Sequence, residues 1–573
     1  MFQRPDLRPE NTKKATETDI GERDMTENSV DPETGIPVPE GAANLIDTEY
    51  TIGQDNIQTQ VGPFGMDIHN PVFLISGLSI VAFVFYALAL PEQAGEFFGW
   101  LRPALTSSFD WFFLLAANVF VLFCLALIVL PVGSVRLGGA DATPDYTYVG
   151  WFAMLFAAGM GIGLMFFGVL EPVYHMAISQ PLGTPSPIAE DGSIIAANVD
   201  AAREMGLAAT IYHWGLHPWA IYAVVALALA LFSYNKGLPL TIRSAFYPIF
   251  GEKVWGWWGH VIDTLAVFAT LFGLATSLGF GAQQANAGLE HVFGIPNNTT
   301  VQIILITFIT AIALVSVLRG LDGGVKLLSE INMGIAAVLL VFVFFAAGAT
   351  AILTEFGQGM VAYVKDLVPL SNPFGREDDA YRQGWTAFYW AWWISWSPFV
   401  GMFIARVSRG RTVREFIICV LLIPSLVCIL WMATFGGAAI EQVLADPVNS
   451  PVKAQVIDSY NPPISLFAML EGLPLANLTS VIAIVLVIVF FVTSSDSGSL
   501  VIDTITAGGK VDAPVPQRVF WCVFEGAVAI VLLLGGGLAA LQAMVISTGL
   551  PFTVVLLAMC YAIYQGLRTE KKA

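Results

Sequence analysis

The sequence predicts an all-α polytopic membrane protein with twelve transmembrane helices. Of its 573 residues, 56% are hydrophobic and only 12% are charged, and the mean hydropathy is +0.70. Soluble domains usually carry about a quarter charged residues, so a conventional soluble enzyme is excluded. The net charge of −18 leaves no basic surface that could neutralise phosphates, and we therefore expect no nucleic-acid partner.

Twelve stretches are long and apolar enough to cross a bilayer, which takes roughly 20 residues in a helix. In chain order they cover residues 71–91, 111–135, 146–170, 205–235, 264–289, 291–318, 331–354, 383–405, 416–440, 472–495, 519–534 and 538–567. With both termini in the cytoplasm, the inner loops and the C-terminal tail hold 15 Lys and Arg against six outside. This asymmetry is typical of cytoplasmic loops.

Three segments of different character follow from this pattern. Residues 1–70 hold 14 acidic and five basic residues without an apolar period, which predicts a disordered acidic cytoplasmic tail. Residues 71–567 form the twelve-helix domain, and residues 568–573 a short cytoplasmic tail. Membrane lipids surround such a domain, and we expect no cofactor.

The third span contains three glycines, Gly159, Gly161 and Gly163, within five residues. Each glycine costs about 1 kcal/mol inside a helix, so the stretch favours unwinding. Gly159 and Gly163 alone would also fit a helix-packing face. The additional Gly161 is not explained by packing.

Aromatic residues concentrate in two other spans. The eighth has five tryptophans within twelve residues, among them Trp392, Trp393 and Trp396, followed by Pro398, which predicts a kink or break. The fourth carries Trp214, Trp219 and Tyr222. Aromatic stripes usually serve packing, but beside a helix break they favour a cage for a cation.

Two spans with breaks, the third and the eighth, each begin a block of five helices. Corresponding breaks in two halves are typical of inverted-repeat secondary transporters, which bind substrate and ion near the membrane midplane. The predicted repeats cover residues 146–355 and 383–567. Repeat boundaries of this kind place two helices before the first repeat.

An ion site is indicated in the tenth span, where Thr493 and Ser494 offer adjacent hydroxyl oxygens. The alternative is that both hydroxyls bond only to their own helix. The cage spans carry no Asp or Glu in their predicted cores, which favours a zwitterion over a plain cation. His213 and His217 have a zinc-like spacing, but no third ligand is apparent, so we expect no transition metal.

Four motifs together resemble the betaine/choline/carnitine transporter family. They are GMGIG at 159–163, HWGLHPWAIY at 213–222, FYWAWWISWSPF at 388–399 and FFVTSSDSG at 490–498. The resemblance covers nearly the whole membrane domain and is strongest to the sodium-coupled glycine betaine carriers. It implies a LeuT-like inverted repeat, alternating access, a homotrimer in a bacterial inner membrane, and sodium as coupling ion.

The resemblance also assigns residues to roles. The trimethylammonium box corresponds to Trp214, Trp219, Tyr222 and Trp393, with Trp392 and Trp396 in the pathway and facing the carboxylate. One sodium site corresponds to the carbonyls of Ala157, Met160 and Phe490 and the hydroxyls of Thr493 and Ser494. A second would involve Thr270 and Phe399, but its other threonine is replaced by Leu274, which puts a two-sodium stoichiometry in doubt.

These inferences favour a sodium-coupled importer of glycine betaine or a related onium zwitterion. Rivals with the same fold are carriers of choline, carnitine, dimethylsulfoniopropionate or ectoine, whether coupled to protons or independent of sodium. A rival of another class is a membrane enzyme that uses His213 and His217.

Overall fold

The computed structural model describes residues 36–61, 64–159, 161–319 and 325–570. Helices dominate this part of the chain, which confirms the all-α membrane class. We number its α-helices α1 to α18: Val72–Ala89, Pro91–Val129, Tyr148–Gly159, Ile162–Ala177, Val199–Trp214, Leu216–Leu229, Tyr247–Phe250, Trp257–Phe293, Thr299–Arg319, Val325–Ala346, Ala349–Ser371, Asp379–Tyr381, Ala387–Val407, Val413–Ala445, Ser465–Glu471, Ala476–Thr506, Val515–Leu534 and Gly537–Arg568.

Shorter helical turns connect several of these helices. The 3₁₀ turns are Pro131–Ser134, Pro181–Gly183, Ala196–Asn198, Ile242–Phe246, Gly251–Trp255 and Pro462–Ile464. The π-helical turns are Ala230–Asn235, Arg382–Thr386 and Lys453–Asp458.

The number of spans does not reach twelve by length and composition. Within the described ranges ten helices qualify, or eleven when the bent pair α3 and α4 counts as one span. Helix α13, at the position of the predicted eighth span, is 21 residues long but is not among them. Its tryptophans, tyrosine and serines reduce its hydropathy. Twelve spans and the two repeat boundaries stay predictions.

The glycine stretch interrupts the third span, as predicted. Helix α3 ends at Gly159, α4 begins at Ile162, and the two axes differ by 67°. Gly161 between them has extended backbone, with φ −175° and ψ −172°. Helix α4 therefore begins inside the bundle, where its first N–H groups have no partner in their own helix.

Of the kink or break predicted at Pro398, the break is wrong, since α13 continues from Ala387 to Val407. A proline cannot donate to the carbonyl four residues earlier, here that of Ile394. The Ser397 hydroxyl donates to this carbonyl instead, at 2.7 Å. A break does occur in the fourth span, where α5 ends at Trp214 and α6 begins at Leu216. The Leu216 N–H donates to the Tyr363 hydroxyl at 3.2 Å.

Burial separates central from peripheral helices. In the most apolar window of Ala196–Asn235, which includes α5 and α6, 94% of the residues are buried, against 28% in the corresponding windows of α9 and α10. Helix α13 contacts α6, α8 and α18, while α14 contacts α4 and α6. The broken helices and the tryptophan-rich helix therefore lie in the interior.

The predicted disorder up to residue 70 is wrong for the described part of that segment. Strands β1 (Asn56–Val61) and β2 (Phe64–His69) pair antiparallel, with Asn56 opposite His69. The Asn56 amide donates to the Ala507 carbonyl at 2.9 Å, and Lys510 pairs with Asp67 at 2.5 Å. These partners lie more than 400 residues away, so no local pattern predicts them. Residues 1–35 and 571–573 of the predicted tails lie outside the described ranges.

Candidate functional site

Two adjoining cavities lie beside the break between α3 and α4. One is bordered by α5, α6 and α13, and the other by α10, α13 and α16. The smaller, about 40 Å³, we call the box cavity, and the larger, about 180 Å³, the hydroxyl cavity. Ala158 and Trp396 belong to both walls, so the two spaces are neighbours. The box wall consists of Ala158, Gly161, Ile162, Gly163, Leu164, Trp214, Tyr222, Trp392, Trp393 and Trp396.

The structure brings together most of the residues predicted to bind substrate. Trp214 of α5, Tyr222 of α6 and three of the four tryptophans of α13 reach the box wall. Trp219 stands behind them: its ring meets that of Tyr222 edge-on, with centroids 5.4 Å apart. Gly161 and Gly163 line the box cavity, whereas Gly159 ends α3 and Met160 lies outside the described residues.

The rings of the box present their faces at steep angles to one another. The centroids of Trp214 and Trp393 are 5.1 Å apart with an interplanar angle of 88°, and those of Tyr222 and Trp393 are 5.4 Å apart at 75°. Trp392 follows at 5.9 Å from Trp393. Walls of aromatic faces attract cations through the ring quadrupole.

The indole N–H of each tryptophan in the box wall donates to the surrounding scaffold. Trp392 donates to the Ser277 hydroxyl at 3.1 Å, Trp393 to the His213 carbonyl at 3.0 Å and Trp396 to the Gly273 carbonyl at 2.9 Å. Trp214 donates to a carboxylate oxygen of Glu171 at 2.8 Å. These bonds fix the ring orientations before any ligand arrives.

Gly163 permits this close arrangement of rings. A Cβ at this position would lie 2.8 Å from the tip of the Trp214 indole and 2.9 Å from that of Trp392. Gly161 borders open space, with no heavy atom within 4 Å of such a Cβ. The last glycine of the stretch therefore has a steric role that the spacing alone does not reveal.

Glu171 is the residue of this region that sequence reasoning missed. The third span is predicted to end at Leu170, because the charge-free stretch ends there. In the structure α4 continues to Ala177 and buries Glu171 completely. The predicted cores of the cage spans, the fourth and the eighth, hold no acid, but the third span places a buried carboxylate next to them. The carboxylate does not line the box cavity; it lies behind Trp214 and also accepts a 2.6 Å hydrogen bond from the Tyr389 hydroxyl.

The two histidines of the fourth span do not form a site together. His217 bonds to Asn118 at 3.0 Å and stacks on Trp390. His213 instead joins Glu171 and His175 in a buried group whose potential ligand atoms lie within 4.8 Å of one another. The expectation that no third ligand accompanies His213 is thus corrected.

The hydroxyl cavity collects most of the residues predicted to bind sodium. Ala157, Phe490, Thr493 and Ser494 line it, together with Ser329, Asn332 and Ser497. Along α13 its wall runs from Trp396 through Phe399 to Phe403, toward the loop that carries Arg409. The hydroxyl cavity therefore extends from the box toward the predicted cytoplasmic face.

The own-helix interpretation holds for Thr493, and the ion site at the hydroxyl pair stays a prediction. The Thr493 hydroxyl donates back to the carbonyls of Val489 and Phe490 at 3.1 and 3.2 Å. A hydroxyl that donates its hydrogen still has oxygen lone pairs for a cation. Both side chains are half-buried and border the hydroxyl cavity, so their oxygens are available to a ligand there.

The doubtful second sodium site gains no support from side-chain placement. Thr270 is buried, donates to the Ala266 carbonyl at 2.7 Å and lines neither cavity, whereas Phe399 borders the hydroxyl cavity. Leu274 lies over Gly498 of α16, where a Cβ would collide with its methyl groups. An apolar contact therefore occupies the place of the expected second hydroxyl.

Comparison with known proteins gives a consistent result. The sequence model of the betaine/carnitine/choline family transporters matches residues 71–572. A glycine betaine/proline/choline transporter of Vibrio parahaemolyticus is 60% identical over 95% of this chain and 98% of its own length. Glycine betaine transporter 1 of the same species is 55% identical over 92% and 98%. A glycine betaine transporter of Bacillus subtilis is 42% identical over 87% and 95%.

Proposed function

The chain belongs to the betaine/carnitine/choline transporter family, and from this premise we propose that it imports glycine betaine, or a closely related onium zwitterion, together with sodium. It is a transporter and not an enzyme, since the family and these relatives are transporters. The observation that carries the proposal is the box of aromatic faces directly beside a cavity lined by hydroxyls.

The box suits a quaternary ammonium group. Such a group cannot donate ordinary hydrogen bonds, and each desolvated contact with an aromatic face contributes about 2 kcal/mol. Among the described residues no carboxylate borders the box cavity, so a free cation would have no neighbouring counter-ion in the wall. The N–H groups at the start of α4, beside Gly161, are the type of group that receives a substrate carboxylate.

Sodium would bind in the hydroxyl cavity. Hydroxyl and carbonyl oxygens are hard ligands that a small cation accepts, and Thr493 and Ser494 supply them from α16 opposite Ala157 of α3. Bound there, the ion would join the broken third span to the tenth. This link would stabilise the conformation in which the box is assembled for substrate.

The cavities also bear on alternating access. The hydroxyl cavity extends from Trp396 to Phe403, toward the loop with Arg409. On the opposite side of the box, Phe167 contacts Trp385 and Tyr389, with ring centroids 6.2 and 5.4 Å apart. We assign this arrangement to a state that releases its cargo toward the cytoplasm.

The chain is a multi-pass membrane protein, and we place it in the bacterial inner membrane with both termini cytoplasmic. Glu40 pairs with Arg409 at 2.6 Å, and the Ile46 N–H donates to the Lys236 carbonyl at 3.0 Å. Lys236 also pairs with Glu570 near the C-terminus. Both ends of the described part of the chain thus lie on the face with the basic loops, which the positive-inside rule assigns to the cytoplasm. A homotrimer is proposed from the family resemblance.

Uptake into proteoliposomes tests the proposal. Labelled glycine betaine should accumulate when an inward sodium gradient is imposed and should not accumulate with an equal potassium gradient. Accumulation that is indifferent to sodium would contradict the coupling. Size-exclusion chromatography with light scattering then distinguishes a trimer from smaller assemblies.

A second candidate has broader cargo. The relative that is 60% identical is named for glycine betaine, proline and choline. The cargo can be identified by competition of these solutes, and of carnitine, ectoine and dimethylsulfoniopropionate, against labelled glycine betaine. Choline displacing label better than glycine betaine would favour the second candidate.

A further inference from the structure

We propose that Glu171 is a positioning residue which acts through Trp214 and places a negative charge behind the aromatic box. The inference rests on the proposed function, because it assumes that the box receives the onium end of the substrate. It adds to that function a residue that fixes the box and determines which end of a zwitterion faces Trp214.

Four potential donors converge on the two oxygens of this carboxylate. One oxygen receives the indole N–H of Trp214 at 2.8 Å and the Tyr389 hydroxyl at 2.6 Å. The other faces His175 at 3.0 Å and His213 at a shorter distance. Since an indole nitrogen can only donate, the bond to Trp214 requires an acceptor oxygen. The arrangement suits an ionised carboxylate, whose hydrogen bonds are stronger than those of a neutral group.

The outer nitrogens of both histidines are also fixed. His175 meets the Ser179 hydroxyl at 2.6 Å, and His213 meets the Thr386 hydroxyl at 2.9 Å. Glu171, His175 and His213 are all buried, and among the described residues no Lys or Arg forms an ion pair with Glu171. A buried carboxylate without such a partner must be held by hydrogen bonds, and four groups are placed to donate to this one.

The group connects three helices to the box. Glu171 comes from α4, Trp214 and His213 from α5, and Tyr389 from α13. The backbone carbonyl of His213 accepts the indole N–H of Trp393 at 3.0 Å. Two adjacent walls of the box, Trp214 and Trp393, therefore take their orientation from the same group of residues.

The electrostatic consequence follows from the order of the groups. The carboxylate lies on the edge of the indole whose face borders the box cavity. Hydrogen bonds polarise the groups they join, and the bond to an anion makes the indole face more negative. In a medium of low dielectric the charge also acts across the ring. An onium group is favoured at Trp214, and a carboxylate is disfavoured there.

The test uses the full chain in detergent with 5-fluorotryptophan in place of tryptophan. Trp214→Phe keeps an aromatic face but removes the N–H, and the ¹⁹F resonance that it abolishes is that of Trp214. In the absence of ligand, Glu171→Gln should shift this resonance, because the bond to a charged oxygen is lost. Glu525→Gln, a change at another fully buried glutamate that contacts Ser495 on α16, should leave it in place.

Binding of glycine betaine provides the second measurement. Glu171→Gln should weaken the Kd by at least about tenfold, the size of a charge-assisted hydrogen bond. In the Trp214→Phe background, Glu171→Gln should weaken binding by less than about threefold, since the hydrogen bond through which Glu171 acts on the box is already absent. A residue with a merely structural role would lower affinity equally in both backgrounds.

Each contrary result has a distinct meaning. An unmoved Trp214 resonance, or effects of the two substitutions that multiply independently, overturns the inference. Stoichiometric zinc in the purified wild-type chain would do the same, because the cluster would then be a metal site. If Glu171→Gln cannot be purified, Glu171→Asp retains the charge but shortens its reach, and an unmoved resonance again overturns the inference. A wild-type chain that binds no onium solute refutes the proposed function, while the ligand-free resonance still decides the role of Glu171.

Discussion

Replacement of Gly163 by alanine should weaken glycine betaine binding while leaving the fold intact. The added Cβ would lie 2.8 Å from the Trp214 ring and 2.9 Å from the Trp392 ring, about half an ångström inside the shortest ordinary contact. Neither ring can rotate away freely, since one N–H is bonded to Glu171 and the other to Ser277. The rings can only shift into the box cavity.

This shift determines whether the substitution destabilises the empty protein or the substrate-bound protein. In the empty protein the box cavity, about 40 Å³, absorbs the displaced rings, so stability should change little. With substrate bound the space is occupied, and overpacking of this type costs about 1–3 kcal/mol. The Kd should therefore rise roughly 5- to 150-fold.

Isothermal titration calorimetry and thermal unfolding of the same preparations check the result. Gly357→Ala on α11, where a Cβ meets no heavy atom within 4 Å, is the matched control. A wild-type Kd for Gly163→Ala would refute the steric argument. A large loss of unfolding temperature in the absence of ligand would show that the strain is not confined to the bound state.

Three further outcomes are expected. Trp393→Leu removes a ring face worth about 2 kcal/mol, so the Kd for glycine betaine should rise about thirtyfold. Trp257→Leu, at an exposed position of α8, should leave this Kd unchanged. Equal Kd values for the two variants would count against the box. Thr493→Val should raise the sodium concentration for half-maximal uptake roughly tenfold if one oxygen ligand contributes about 1.4 kcal/mol. Thr553→Val is the control, because the Thr553 hydroxyl donates to the Gly549 carbonyl of its own helix, and it should leave this concentration unchanged. Because Leu274 offers no oxygen, the sodium dependence of uptake should have a Hill coefficient of about one, and a value near two would contradict this.

Much of the site could be predicted because its chemistry is expressed in unusual residues at short spacing. Five tryptophans in one span and three glycines in five residues are improbable as lipid-facing sequence, and both mark the box. The hydroxyl pair Thr493 and Ser494 does not predict an ion site by itself and indicates one only together with these features.

The features that could not be predicted depend on partners distant in sequence, or on where a predicted span is taken to end. Glu171 was missed because a search for uncharged stretches stops at the first carboxylate, although four hydrogen bonds allow this one to be buried. Helix α13 continues past Pro398, where the Ser397 hydroxyl donates to the carbonyl that the proline leaves without a donor. Strand β1 bonds to a loop more than 400 residues later, through the Asn56 amide and the Ala507 carbonyl.

The tethered indoles also determine what the box rejects. Since the N–H of each tryptophan in its wall is already engaged with the scaffold, those rings offer an incoming solute no polar atom, only π-faces. A primary ammonium group against these tryptophans would give up hydrogen bonds to water that the indoles cannot replace, at about 1–3 kcal/mol for each unsatisfied donor. The Tyr222 hydroxyl, buried in the same wall without a hydrogen-bond partner, is one acceptor that remains. Ordinary amino acids, which are abundant in any cell, share the carboxylate and the positive charge of glycine betaine but carry up to three such donors. If the box receives the onium end as proposed, the absence of acceptors on its tryptophans would disfavour such metabolites without any group that specifically repels them.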